Sequence, residues 1–154
     1  MIRVQQEPFD ISAELHALRD GNHAIGGTAL FAGSVRDLNL GEQVSAMTLE
    51  HYPGMTEKAL AGIEAEANAR WPLDASLIVH RYGRMLPGED IVLVITCSSH
   101  REAAFEACQF LMDWLKTKAP FWKLEEGSDA GTAKWVDARD SDDSAAVRWN
   151  KPAK

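Results

Sequence analysis

Three lysines, Lys116, Lys118 and Lys123, bracket Pro120 and the aromatic pair Phe121 and Trp122 in the stretch LKTKAPFWKLEE. A lysine in apolar surroundings loses proton affinity, because desolvation disfavours its charged form. Lysines become bases, nucleophiles or acyl acceptors near neutral pH in this way. The competing reading is that the stems cover apolar surface while the ammonium groups stay in water, and local pattern favours it. On a helical wheel Lys116 stands one turn after Met112 at the edge of an apolar stripe, and Lys118 falls over Trp114 and Leu111. The wheel does not choose between them. In the strand that follows, alternation sends Phe121 and Lys123 to one face and Trp122 and Leu124 to the other, which lets Lys123 share a pocket with a lysine at the helix end.

Two other stretches place cations where an anion would be at home. In SSHREAAF a helix start offers free backbone N–H groups and the positive end of its dipole, with His100 and Arg101 beside them. The plain alternative pairs Arg101 with Glu102 or Glu106 on the surface. In FAGSVRDLNLG, Gly33 permits close approach of backbone to a ligand and Arg36 can clamp an anion, although the same loop also reads as a hairpin connection. No GxGxxG, Walker, HExxH or nucleophile-elbow pattern is present. His16, His23, His51 and His80 are scattered without metal-ligand spacing, which leaves nucleotide-fold, metalloenzyme and hydrolase readings unsupported.

The elements that must position these residues read as β α β β α β β α β β. IRVQQ is a strand, and DISAELHALRD a short helix capped by Asp10 or Ser12. AIGGTALFAGSV is a bent buried strand, and VSAMTLEHY pairs back on it as a hairpin across the turn LNLGEQ. MTEKALAGIEAEANARW is a helix stopped by Pro72. ASLIVHRYGRM and DIVLVITCSS form a second hairpin through LPGE. Ser99 and Glu102 have capping-box spacing, so a third helix runs from His100 to about Lys118, where Pro120 ends it. FWKLEE and KWVDA are a last strand pair, and the tail from about 140 is polar, either loose or pinned by Trp149. Hairpins in place of crossover helices make the class α+β, a largely antiparallel sheet packed by two or three helices in one domain over residues 1–154.

Bulk properties are those of a globular protein. At 154 residues the chain buries enough surface for a core without staples. Its formal net charge of -7 argues against nucleic acid as a partner. The absence of an N-terminal h-region and of any apolar run near the ~20 residues that span a bilayer argues against a membrane, and a cytoplasmic location is expected by default. Cys97 and Cys108 have no partner at metal-ligand spacing. A thiol at Cys97 is chemically able to carry a persulfide, but cysteine is among the most buried residue types and both read as structural.

Taken together, FAGSVRDLNLG, LEHYPGMTEKAL, VHRYGRMLPGE, SSHREAAFEA and LKTKAPFWKLE resemble, in order and over most of the chain, the catalytic (large) subunit family of molybdopterin synthase. The resemblance implies an α/β hammerhead fold and sulfur transfer in molybdenum cofactor biosynthesis. A small ubiquitin-like sulfur-carrier subunit would thread its C-terminal Gly-Gly thiocarboxylate into a pocket of the large subunit, where cyclic pyranopterin monophosphate becomes the molybdopterin dithiolene. Two carrier visits supply two sulfurs. The assembly implied is a heterotetramer on a central homodimer, and no cofactor or metal is implied.

By matched position, Lys116 and Lys123 fall on the two lysines the family ties to catalysis, and Lys118 matches neither. Arg36, His100, Arg101 and Arg139 fall on substrate-anion positions, with Arg139 reaching across the dimer, and Phe31 and Met112 line the same pocket. Ser34, Val35, Leu124 and Glu125 complete the implied substrate-binding set, although Ser34 and Leu124 stand where many relatives carry a basic residue. Two rival functions are a non-catalytic dimeric scaffold that docks an acidic peptide tail, and a lysine Schiff-base enzyme acting on a carbonyl. Neither accounts for the clustered arginines as well.

Overall fold

The computed structural model describes residues 1–129 and 131–150, so that Ala130 of the GSDAG loop and residues 151–154 of the expected tail lie outside it. The apolar run DIVLVITCS forms strand β7 (Asp90–Ser98), the centre of a four-stranded sheet. It runs antiparallel to both β5 (Leu73–Arg81) and β2 (Gly27–Ser34), and β1 (Ile2–Gln5) adds to β5 in parallel. The run is apolar throughout because both faces are covered, as period-two alternation then demands. Ile78, Val92 and Val94 pack with Leu60, Ile63 and Ala67 of helix α2 (Met55–Arg70) and with Ala104, Cys108 and Leu111 of helix α3 (Arg101–Lys118). Leu77, Val79, Leu93, Ile95 and Cys97 point the other way, under Leu15 and Leu18 of helix α1 (Ile11–Arg19).

A second sheet is built around β4 (Glu42–His51), which pairs antiparallel with β3 (Leu38–Asn39), with β6 (Gly83–Met85) and with β8 (Phe121–Gly127); β8 in turn pairs with β9 (Ala133–Val136). Val35, Met47, Leu49 and Met85 fill the space where the two sheets meet, with Ile91 against them. The class is α+β, as the pattern of elements predicts.

Four local expectations are corrected. β4 does not pair back on β2: β2 takes β7 and lies at the edge of its sheet, where only Ala29 of the strand is buried and Leu30 and Phe31 are half-exposed, so it is not the buried strand expected, and β4 takes β8. The stretch ASLIVHRYGRM is two strands, since the chain changes sheets at Tyr82 and Gly83, where Gly83 has φ 90°. The capping box at Ser99 and Glu102 does not form. Instead α3 begins at Arg101 with His100 as an N-cap that makes no side-chain hydrogen bond, while at the start of α2 Glu57 Oε2 accepts from Gly54 N at 2.6 Å, one half of a capping box whose other half glycine cannot supply. Finally, residues Asp140–Val147 form a further helix, α4. Trp149 pins the chain beyond it: its ring meets Trp71 at 5.7 Å and Phe110 at 5.5 Å edge-on, and its Nε1 donates to Asp113 Oδ2 at 2.7 Å.

The joint between α3 and β8 is held by buried groups. Thr56 Oγ1 donates to Pro120 O at 3.2 Å and accepts from Tyr52 N at 3.1 Å, which ties the bend to the start of α2. His80 stacks on Phe121 with ring centroids 3.8 Å apart and donates from Nδ1 to Arg81 O at 2.9 Å. Burial pushes the His80 imidazole down to about 4, against the hydrogen bond to Arg81 O, which raises it. The folded protein therefore binds this proton less readily than the unfolded chain. Stability from His80 is complete above about pH 6.5 and is lost as pH falls toward 4, by about 3 kcal/mol in all. Denaturant melts of wild type and His80→Phe at several pH values should show the variant losing less stability on acidification over this window. Parallel losses would remove His80 as the cause.

Candidate active site

Strand β2 ends in a segment that is fixed from two sides. Val35 is buried, its N–H donates to Glu89 O at 2.9 Å and its carbonyl accepts from Gly88 N at 2.8 Å. Ser34 Oγ donates to Asp90 Oδ1 at 2.7 Å. The chain then turns through Arg36 into the two-residue strand β3, whose hairpin is closed by Leu40 (φ 51°) and Gly41 (φ 83°). Both central residues at positive φ make the tight turn whose twist matches its strands, and leucine at the first of them is strained by about 1–2 kcal/mol.

This hairpin delivers Asn39 into the interior, where it becomes a hub. Asn39 Nδ2 donates to both carboxylate oxygens of Glu125, at 2.9 and 3.0 Å. Its Oδ1 accepts from Arg36 Nη2 at 3.3 Å and from Arg139 Nη2 at 3.0 Å. On the other side of Glu125, Lys123 Nζ lies 2.7 Å from Oε1. Burial works to raise the Glu125 carboxyl, but hydrogen bonds from Lys123 and Asn39 and the charges of Lys123 and Lys134 hold it below the ordinary glutamate value. Ser34, Val35, Arg36, Asn39, Lys123 and Glu125 line a cavity of about 50 Å³ together with Val44, Met47 and Ile91.

The structure therefore brings together Ser34, Val35, Arg36, Lys123, Glu125 and Arg139. Lys116 is exposed in the last turn of α3, just before the Pro120 bend, and has no polar partner among the described residues. Lys116 is thus exposed in the single chain, in line with the solvated reading that local pattern favours. Lys118 lies with its ammonium 3.8 Å from the Trp114 ring centroid, as the wheel implies. His100 and Arg101 sit at the other end of α3, which at 1.5 Å per residue puts Arg101 about 22 Å along the axis from Lys116. Arg101 makes no ion pair among the described residues, and Glu106 accepts instead from Trp71 Nε1 at 2.8 Å. The helix can start there because Gly27 leaves room: a Cβ on it would lie 3.0 Å from Arg101 Cα.

Phe31 is half-exposed on β2, whereas Met112 is buried in the core cluster with Ala29 and Leu115. Leu124 stands beside Thr48 and Trp135 in the sheet register, on the opposite face from Lys123 and Glu125. Gly33 has a packing reason of its own: a Cβ there would meet Val92 Cγ1 at 2.9 Å and the Phe31 ring at 3.2 Å. Arg139 bonds to Asn39 of its own chain. Burial raises the thiols of both Cys97 and Cys108, the latter to about 11, which leaves neither as a ready nucleophile. Among the described residues no cluster of metal-ligating side chains exists, and no helix is long and apolar enough to cross a membrane.

Asn39 is the residue that sequence reasoning missed. LNLGEQ reads correctly as a turn, but the partner that makes Asn39 a hub, Glu125, lies 86 positions away in the chain.

Comparison with known proteins places this arrangement. Residues 4–118 match the model of the family described as MoaE protein. The molybdopterin synthase catalytic subunit of Pseudomonas aeruginosa is 55% identical over 150 residues, covering 97% of this chain and 99% of that protein. A solved structure, the molybdopterin biosynthesis MoaE protein of Burkholderia ambifaria, superposes with TM-score 0.82 at 54% identity, covering 99% of each chain. At 19% identity and TM-score 0.71, covering 90% of each chain, the fold also matches a chain from a complex of subunits 1 and 2 of molybdopterin-converting factor from Helicobacter pylori. Family model, near full-length identity and superposition agree: this chain belongs to the MoaE family, the catalytic subunits of molybdopterin synthase.

Proposed function

We propose that the chain transfers sulfur from the C-terminal Gly-Gly thiocarboxylate of a small ubiquitin-like carrier to cyclic pyranopterin monophosphate, forming the molybdopterin dithiolene. The observation that carries this reading is the cluster around Asn39, in which the guanidinium groups of Arg36 and Arg139 meet on its oxygen and the Lys123–Glu125 pair on its nitrogen, beside a small cavity that Arg36, Lys123 and Glu125 line. Arg36 and Arg139 hold the phosphate of a substrate lying across the mouth. As each C–S bond forms, a C–O bond breaks. The departing oxygen gathers negative charge, fixed cations in a water-poor site stabilise it, and a lysine supplies its proton. Water then cleaves the carrier's acyl–sulfur bond and releases the carrier as a carboxylate.

Lys116 acts at the thiocarboxylate and the reacting carbon, and Lys123, held by Glu125, assists proton transfer. Because Lys116 is exposed in the single chain, its dry surroundings come from the bound carrier tail and substrate. His100 and Arg101 lie a helix length from Lys116 in the same chain, so in this reading a second copy brings them to the substrate, as a central homodimer within a heterotetramer would. That the H. pylori chain of similar fold is found in a two-subunit complex supports a carrier partner. Mixing the purified chain with thiocarboxylated carrier and cyclic pyranopterin monophosphate tests the reading: dithiolene should form in amounts that track carrier consumed, two per product. Tail binding without dithiolene would reduce the site to a docking surface.

A further inference from the structure

We propose that Asn39 is a positioning residue that sets the anion-holding arginines and the proton-handling lysine against one another; this rests on the sulfur-transfer reading above. A carboxamide presents N–H donors on one side and an acceptor oxygen on the other, and Asn39 uses both sides: its Nδ2 faces both oxygens of Glu125, and its Oδ1 accepts from Arg36 and Arg139. The orientation admits no alternative, since turning the amide over would aim its N–H groups at guanidinium donors and its oxygen at a carboxylate. Asn39 is itself 7% exposed and held at the root of the strained Leu40 turn, so its position is fixed by backbone before any ligand arrives.

The need for a neutral bridge is electrostatic. Arg36 and Arg139 repel each other, and holding both on one oxygen keeps a paired set of donors ready for a phosphate. Glu125 already carries Lys123, and a free carboxylate this close would draw the two arginines onto itself and away from substrate. Asn39 turns its amide nitrogen to Glu125's oxygens and presents only a carbonyl to the arginines. Charge on one side is thereby kept from collapsing onto the other.

Asn39→Ala and Asn39→Asp test this, with cyclic pyranopterin monophosphate binding measured by calorimetry in the absence of carrier, turnover measured with carrier, and circular dichroism reporting folding. Asn39→Ala should weaken substrate binding by roughly 10- to 100-fold, the scale of lost hydrogen bonds to charged groups. Asn39→Asp keeps the volume but sets a second carboxylate against Glu125, so the pair shares a proton at low pH and is doubly charged at high pH. Its affinity, as a ratio to wild type, should therefore recover as pH is lowered from 8 to 6, a response that a merely structural residue would not give. Loss of the folded state in both variants, or wild-type affinity and pH dependence in a folded one, overturns the proposal. Wild type run in parallel separates the claims. A wild type that neither binds nor converts the cyclic pterin overturns the sulfur-transfer reading and this inference with it, whereas an active wild type beside unaffected variants overturns the inference alone.

Discussion

Replacing Lys116 by alanine should lower dithiolene formation by about 10³-fold or more, the range expected when a proton-transfer group and a charge at the reacting atoms are lost together. The folded state should be unchanged. Lys116 is exposed in the last turn of α3, no described residue pairs with it, and alanine is at least as good a helix former. The cation's interaction with the helix C-terminus is a minor loss, about 0.3–1 kcal/mol. Carrier binding should persist, because the tail's other contacts are untouched. Single-turnover assays with thiocarboxylated carrier, beside thermal melts and a carrier-binding titration, check all three statements. Retained turnover would remove Lys116 from the chemistry, and a large fall in melting temperature would show that the residue is structural.

Lys123→Ala should also cut turnover, by about 10²–10⁴-fold, but with a different signature. Here stability falls too, because Lys123 is a direct partner of the nearly buried Glu125 carboxylate at 2.7 Å. Asn39 remains as that carboxylate's other partner, so the expected cost is about 1–3 kcal/mol, that of one missing charged hydrogen bond, and short of an orphaned buried ion. The sign of the pH dependence follows. Glu125 is held below the ordinary glutamate value in the folded protein, so its stabilisation is present above that value and lost as pH falls through the folded one. Without Lys123 the carboxyl rises, and this acid-side loss begins at higher pH. Adding Glu125→Gln to Lys123→Ala should recover much of the stability and none of the turnover. If the single variant melts like wild type, the ion pair is not holding the site.

Much of the fold was legible where local chemistry decides. Asp10, one of the two caps the sequence offers, caps α1 by accepting from Ala13 N at 2.9 Å, and Pro72 and Pro120 close α2 and α3. The hairpin joining β8 to β9 and the antiparallel pairing of β5 with β7 also follow from turn residues and short separation. What failed was strand partnership at long range. β2 and β4 follow one another with a good turn before β4, yet the turn joins β4 to the short β3, while β2 pairs with β7 and β4 with β8, partners that lie far along the chain. The Ser99 cap failed for a related reason: the backbone at Ser98 to His100 is committed to the end of β7 and to Gly26, whose N–H donates to Ser98 O at 3.1 Å.

The site divides in the same way. By itself the sequence determined which side chains are available, namely a lysine on either side of Pro120 and arginines at 36, 101 and 139, and through the ordered motifs it determined the family. Only the tertiary structure decided how they are grouped. It placed Lys123, Glu125, Arg36 and Arg139 around Asn39, and it set Lys116 in the open and Arg101 a helix length away. The reason is physical: residue type fixes what a group can donate, accept or carry. Whether it meets an opposite charge, a like charge or water depends on contacts such as Asn39 with Glu125 and Arg139, which join positions 86 and 100 residues apart and leave no local periodicity to read.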